Sequence, residues 1–204
     1  MRIRRVLTTA AVTAALALSG VAVATPAVAA PATAGAPAHA RHDDSAVDLH
    51  GGRTTLRLDR TTAGVLADNG VSVTAIDEAT GGGTRFAFPI VGGSVVPATA
   101  AGEIEHVGGL EFAAGDVTLS VEDFVIDTVE GVLTARVTGT QTRVPLLDLD
   151  ASHARIQDGR QRFVVRGVQA TLTDEAAAAL NGTFGVDLFA EGLPVGTATV
   201  RAAK

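Results

Sequence analysis

The chain has 204 residues with 22 acidic side chains against 16 Lys and Arg, and it contains no cysteine, tyrosine or tryptophan. Three of those cations fall within the first five residues, which leaves 13 facing the 22 acids. Such a balance argues against a nucleic-acid partner, which needs a basic footprint, and against adsorption to an anionic membrane. The missing thiols exclude disulfides, a cysteine nucleophile and Cys-ligated metal.

Arg2, Arg4 and Arg5 precede a charge-free apolar stretch from Val6 to Ala24, and Thr25-Pro26-Ala27-Val28-Ala29 follows. A basic segment, an apolar segment and a small-x-small exit make a secretory signal peptide, residues 1–29. Cleavage is expected after Ala29, because cutting one residue later would place Pro31 first. The product is expected to be secreted, free or held at the cell envelope, with no membrane span after cleavage. Residues 30–50, rich in Ala, Pro, His and Asp, are expected to form a disordered leader. Residues 51–204 then make one domain of ordinary size.

Alternation dominates that domain. Val117-Thr118-Leu119-Ser120-Val121 places apolar side chains on one face and hydroxyls on the other, and Phe86 and Phe88 alternate with Arg85 and Ala87. Phe124 and Ile126 continue the Val117–Val121 face only if one residue is inserted at Glu122-Asp123, which predicts a bulge. Further strands are expected near 54–58, 71–76, 123–127, 132–138, 143–149, 162–171, 184–189 and 196–202. Asp59 can cap a helix over Thr61–Asp68, and Thr173 can cap another over Asp174–Leu180 that stops at Asn181-Gly182. The fold class is therefore mainly β: an antiparallel sandwich or partly open barrel with two short helices.

Chemistry-bearing residues are sparse. His39, His42 and His50, with Asp43, Asp44 and Asp48, could hold a metal only if fixed in space, and their segment is expected to be a solvated leader. No nucleophile motif, phosphate loop or metal-ligand spacing occurs, so no catalytic residue and no metal ligand is assigned. Gly108 and Gly109 are expected to form a two-residue hairpin turn, with Val107 opposite Leu110 and His106 opposite Glu111. On that geometry the His106 ring stands accessible near the tip. It is the one candidate for ligand contact, the alternative being a turn residue hydrogen-bonded across to Glu111.

Three segments carry a family resemblance. They are Phe86-Ala87-Phe88-Pro89-Ile90-Val91-Gly92-Gly93-Ser94-Val95, then Gly102-Glu103-Ile104-Glu105-His106-Val107-Gly108-Gly109-Leu110-Glu111-Phe112, then the strands from Val117 to Val137. Their order resembles the Htaa domain of secreted and surface proteins of Gram-positive bacteria, some of which capture haem. The resemblance covers about residues 84–138 and implies a β-fold, export and a role for His106. It also implies a haem-ligating tyrosine supported by a histidine, and this chain has no tyrosine. The expectation from these residues is accordingly no cofactor, with haem disfavoured. The function expected is a secreted, non-enzymatic domain binding a small ligand or a cell-envelope partner. Haem binding or transport through His106 is the alternative, and a hydrolase with an unrecognised carboxylate site stands third.

Overall fold

The computed structural model describes residues 45–140 and 142–204. The segment expected to be a signal peptide, and the expected leader with its histidines up to residue 44, lie outside the described residues. The chain runs β1 (Val47–Asp48), β2 (Gly51–Leu58), α1 (Arg60–Asp68), β3 (Ser72–Ile76), β4 (Thr80–Gly82), β5 (Arg85–Val96), β6 (Ala101–His106), β7 (Gly109–Ala114) and β8 (Val117–Asp127). It continues through β9 (Val132–Val137), β10 (Arg143–Asp150), β11 (Arg155–Asp158), β12 (Arg162–Leu172), α2 (Asp174–Phe184) and β13 (Pro194–Ala203).

Every strand pairing is antiparallel, and eight strands close a ring in the order β5, β2, β13, β12, β10, β9, β8, β6 and back to β5. Closure removes the exposed edges that an open sheet would present. The remaining strands hang on this barrel: β7 and β3 extend from β8, while β1, β4 and β11 pair at its rim. Among the described residues no helix is long and apolar enough to cross a membrane.

Strand β8 makes closure possible by serving two neighbours along one edge. Its first half, Val117 to Glu122, pairs with β7, and its second half, Val125 to Asp127, pairs with β6. Between the halves the ladder to β9 shifts register, and Asp123 takes a φ of +53°. That is the bulge expected at Glu122-Asp123, and it turns Phe124 and Ile126 inward beside Val121, all three buried. Val117 does not share their burial, because it lies where β8 has run beyond the barrel, and it is 41% exposed.

Both helices begin as their caps dictate. The Asp59 carboxylate accepts from the amides of Thr61 and Thr62 at 2.8 and 3.2 Å, and Thr173 Oγ1 accepts from Ala176 N at 3.2 Å. The second helix departs from expectation at its end. Asn181 does not stop it; the helix runs to Phe184 and closes on Gly185 at φ +65°. The Asn181 amide instead holds the chain after it, accepting from Leu188 N and Phe189 N at 3.0 Å each and donating to Phe189 O at 2.8 Å. This bracket keeps Phe189 against the helix, so the strand expected at 184–189 does not form.

Three apolar clusters fill the molecule. One surrounds Ile104, Ile126, Phe163 and Val200 at one end of the barrel. A second gathers Phe86, Phe88, Leu110 and Phe124, with Phe88 and Phe124 edge to face at 4.9 Å. The third seats both helices through Leu66, Ala177 and Leu180. Leu49 is 2% exposed and belongs to the first cluster, and Val47 pairs with Val95, so the ordered domain begins before the expected Gly51 boundary. Phe163 has no exposed surface. Phe163→Ala should cost about 3–5 kcal/mol in chemical denaturation, whereas Val117→Ser should shift stability by less than about 0.5 kcal/mol. A cost under about 1 kcal/mol for Phe163→Ala would show that the first cluster is not the core.

Candidate functional site

The junction after β6 is not a hairpin. Gly108 and Gly109 link two strands that do not pair with each other: β6 lies on β5 and β8, and β7 lies on β3 and β8. The chain crosses the Asp123 bulge here, and Asp123 N donates to Gly108 O at 3.2 Å. Glycine is required at both positions for clearance. Gly108 sits at φ +82°, and a Cβ there would lie 2.3 Å from the Ala79 amide nitrogen; at Gly109 it would lie 2.3 Å from the Val121 oxygen. The expected pairing of His106 with Glu111 is thereby corrected. His106 pairs with Ile90, and Glu111 pairs with Ser120 and Thr74.

This topology turns the His106 ring inward, where it is 4% exposed rather than accessible. Two bonds hold it. Nδ1 lies 3.0 Å from the Phe124 carbonyl, which can only accept, so Nδ1 carries the proton. Nε2 is then the acceptor for the Thr54 hydroxyl at 2.7 Å. Thr54 belongs to β2 and is itself 5% exposed, so the pair ties β2 to β6 over the inner face of β5, which lies between them. Burial pushes the imidazole pKa down to about 4, only partly opposed by the bond to Phe124. His106 is therefore neutral across the physiological range, one tautomer in one orientation.

The ring stands at the boundary between two apolar clusters, with Ile104 in the first and Phe124 and Leu110 in the second. Two small apolar cavities lie among these clusters, and His106 lines neither. One, of about 150 Å³, is bounded by Ile104, Ile126, Phe163 and Val200 with the turn residues Ala151 and Ala154. The other, about 70 Å³, lies under the helices between Leu66, Phe112, Leu180 and Phe189. Both fall short of the roughly 300–1,000 Å³ of a typical ligand pocket. That shortfall follows from eight strands, whose barrel interior side chains nearly fill. In this closed form neither His106 nitrogen is free and neither apolar cavity admits a haem, so the described residues do not form a ready haem slot.

The other described histidines, His50 and His153, are exposed. Among the described residues no group of three or more His, Asp or Glu side chains is placed to hold a metal ion. Thr54, the hydroxyl that fixes His106, went unnoticed in the sequence because 52 positions separate the two residues. Its only sequence signal is a polar residue at an inward position of a strand, between apolar neighbours of the same phase.

The neutral histidine makes stability depend on acid. An unfolded histidine titrates near 6.5 and the folded one near 4, so between those values the unfolded chain binds the extra proton. Stability is full above about pH 6.5 and falls as pH drops towards 4, by about 3 kcal/mol in all. His106→Gln should remove this component from the pH dependence of urea unfolding. A wild-type midpoint flat from pH 7 to pH 4.5 would contradict the buried neutral ring.

A family model described as Htaa matches residues 61–190. No curated protein sequence matches the chain. Among solved structures, the C-terminal domain of HtaA from Corynebacterium glutamicum aligns with a TM-score of 0.57 at 13% identity, covering 76% of this chain and 98% of that one. Heme binding protein HtaB from the same organism aligns at 0.48 and 13% identity, covering 78% and 96%. The N-terminal domain of HtaA gives 0.47 at 16%, covering 76% and 98%. The family match overturns the expectation of no cofactor. That expectation rested on the missing tyrosine and on the scarcity of aromatic side chains to line a haem pocket. Matched over more than half its length, with the same fold, the chain belongs to the Htaa family.

Proposed function

We propose that this chain is a secreted, non-enzymatic haem-binding domain that ligates iron through imidazole in place of tyrosine. The observation that carries the proposal is the family match over residues 61–190, taken with the residue inventory. Protein ligands to haem iron are histidine, cysteine, methionine and tyrosine. This chain has no cysteine, no tyrosine and a single methionine, Met1, at the head of the signal segment. Histidine is what remains. The basic, apolar and small-residue order of the first 29 residues supports export, and an extracellular or envelope location suits capture of an external ligand.

His106 is the imidazole proposed as ligand. It lies within the matched segment and in apolar surroundings, and its depressed pKa keeps the ring from competing for protons. Its Nε2 is engaged by Thr54, so access depends on loosening the contact between β2 and β6. Thr54→Val removes that competing hydroxyl and should tighten haemin binding, by roughly five- to tenfold for one hydrogen bond. His106→Ala should abolish the Soret band that develops when haemin is added to the wild type, while His50→Ala and His153→Ala should retain it. Circular dichroism establishes that each variant is folded. No Soret band with wild-type protein would end the haem reading. A band untouched by both His106→Ala and Thr54→Val would end the assignment to His106.

A further inference from the structure

The outer face of the barrel carries a charge pattern that ligation by His106 does not use. Residues directly opposite on paired strands share a face. Arg53 of β2 stands opposite Arg201 of β13, and Arg57 of β2 opposite Arg85 of β5. Arg155 of β11 stands opposite Arg166 of β12, and Arg162 lies two strand positions beyond Val164 on the same outward phase. All seven side chains are exposed. They are more than half of the 13 cations that follow the first five residues.

Directly opposed like charges destabilise a sheet, and an acid-rich chain has the means to neutralise them. Elsewhere it does so. Arg136 stands opposite Arg143, and there Arg136 is paired with both Glu122 and Asp123 while Arg143 donates to the Asp123 carbonyl at 2.6 Å. On the arginine face no such compensation exists. Among the described residues none of the seven forms an ion pair, and β2, β4, β12 and β13 contain no Asp or Glu at all. Asp158 of β11 lies on the other face opposite Phe163 and is taken by Lys204. Acids border this surface, with Asp77 and Glu78 before β4, Asp48 on β1, Asp148 and Asp150 on β10, and Glu103 and Glu105 on β6.

Two open depressions lie between these side chains on β4, β5, β2 and β13. A groove of about 510 Å³ brings together Arg53, Arg85 and Arg201 with Thr55 and Thr80. A second, of about 270 Å³, adjoins it through Thr55, Arg85 and Arg201 and reaches Arg57, Thr197 and Thr199. Guanidinium forks alternating with hydroxyl donors match phosphate oxygens. From β4 to β11 the pattern crosses six strands, about 24 Å at the usual strand spacing, which exceeds any single small anion. The face offers no aromatic platform for bases. Among the large apolar side chains exposed elsewhere, Val91 of β5 alone shares its outward phase, which is too little to anchor a membrane-lying surface.

We propose that this face, spanning β4, β5, β2, β13, β12 and β11, docks a linear polyanion of repeated phosphate groups without bases. Such an occupant suits an exported protein held at an envelope.

The test uses the chain from residue 30 onward and a fluorescent polyphosphate, with single-stranded DNA, polyglutamate and anionic vesicles as competing probes. Binding of polyphosphate is expected, weakening about a hundredfold between about 50 and 200 mM salt, as for roughly five neutralised phosphates. Arg85→Ser with Arg201→Ser should weaken it at least about tenfold while thermal stability holds or rises, because two repulsive pairings, Arg57–Arg85 and Arg53–Arg201, are relieved. Arg143→Ser, off the face, should leave binding unchanged. No binding at low salt, equal binding by the double variant, or preference for DNA, polyglutamate or vesicles over polyphosphate would each overturn the proposal. Haemin binding is read separately and does not bear on it.

Discussion

The passage of β6 and β7 along a single edge of β8 is the constraint on which this molecule rests. A hairpin at Gly108-Gly109 would have paired those strands with each other and left the barrel open. The Asp123 bulge instead lets β8 serve one strand with each half, so β6 can reach back to β5 and close the ring. The glycines tolerate the backbone contacts that the crossing requires, 2.3 Å for either missing Cβ. Closure turns His106 from a surface tip into an interior group, and burial then requires a partner for each ring nitrogen. Thr54 and Phe124 supply them. Strand topology, ring tautomer and neutral charge are thus one consequence taken in steps.

Closure also separates the two chemistries of the barrel. The inside is narrow and apolar, with one histidine–threonine contact bridging β6 and β2 over β5. The outside gathers seven arginines that form no ion pair among the described residues, although the chain as a whole is negative. An ion pair between exposed groups contributes little to stability, which makes uncompensated Arg–Arg pairs tolerable in a well-packed sheet.

Much of the architecture was legible in the sequence because period-two alternation and helix caps act locally. Val121, Phe124 and Ile126 could be phased only through a bulge at Glu122-Asp123, and the bulge is there. Asp59 and Thr173 marked both helix starts because capping needs only residues two or three apart. What failed was non-local. Gly108-Gly109 carries the same composition in a hairpin and in a strand crossing, and only the pairing of β8 distinguishes them. Asn181 resembled a helix stop, yet its amide reaches seven and eight residues onward to Leu188 and Phe189. The arginine face was hidden as well. Its members lie on five strands between Arg53 and Arg201, and net charge averaged them against acids on the far side.

On the proposed haem reading, the iron ligand of this Htaa-family chain is an imidazole nitrogen enclosed in the barrel. Nitrogen-15 NMR of the histidine rings, recorded at pH 7 before and after one equivalent of haemin, tests it most directly. Without haemin, His106 should show a neutral ring protonated at Nδ1. With haemin, its Nε2 signal should be lost to the paramagnetic iron while the exposed histidines keep theirs. A charged or rapidly exchanging His106 ring before addition, or loss of His50 or His153 signals in its place, would contradict the account.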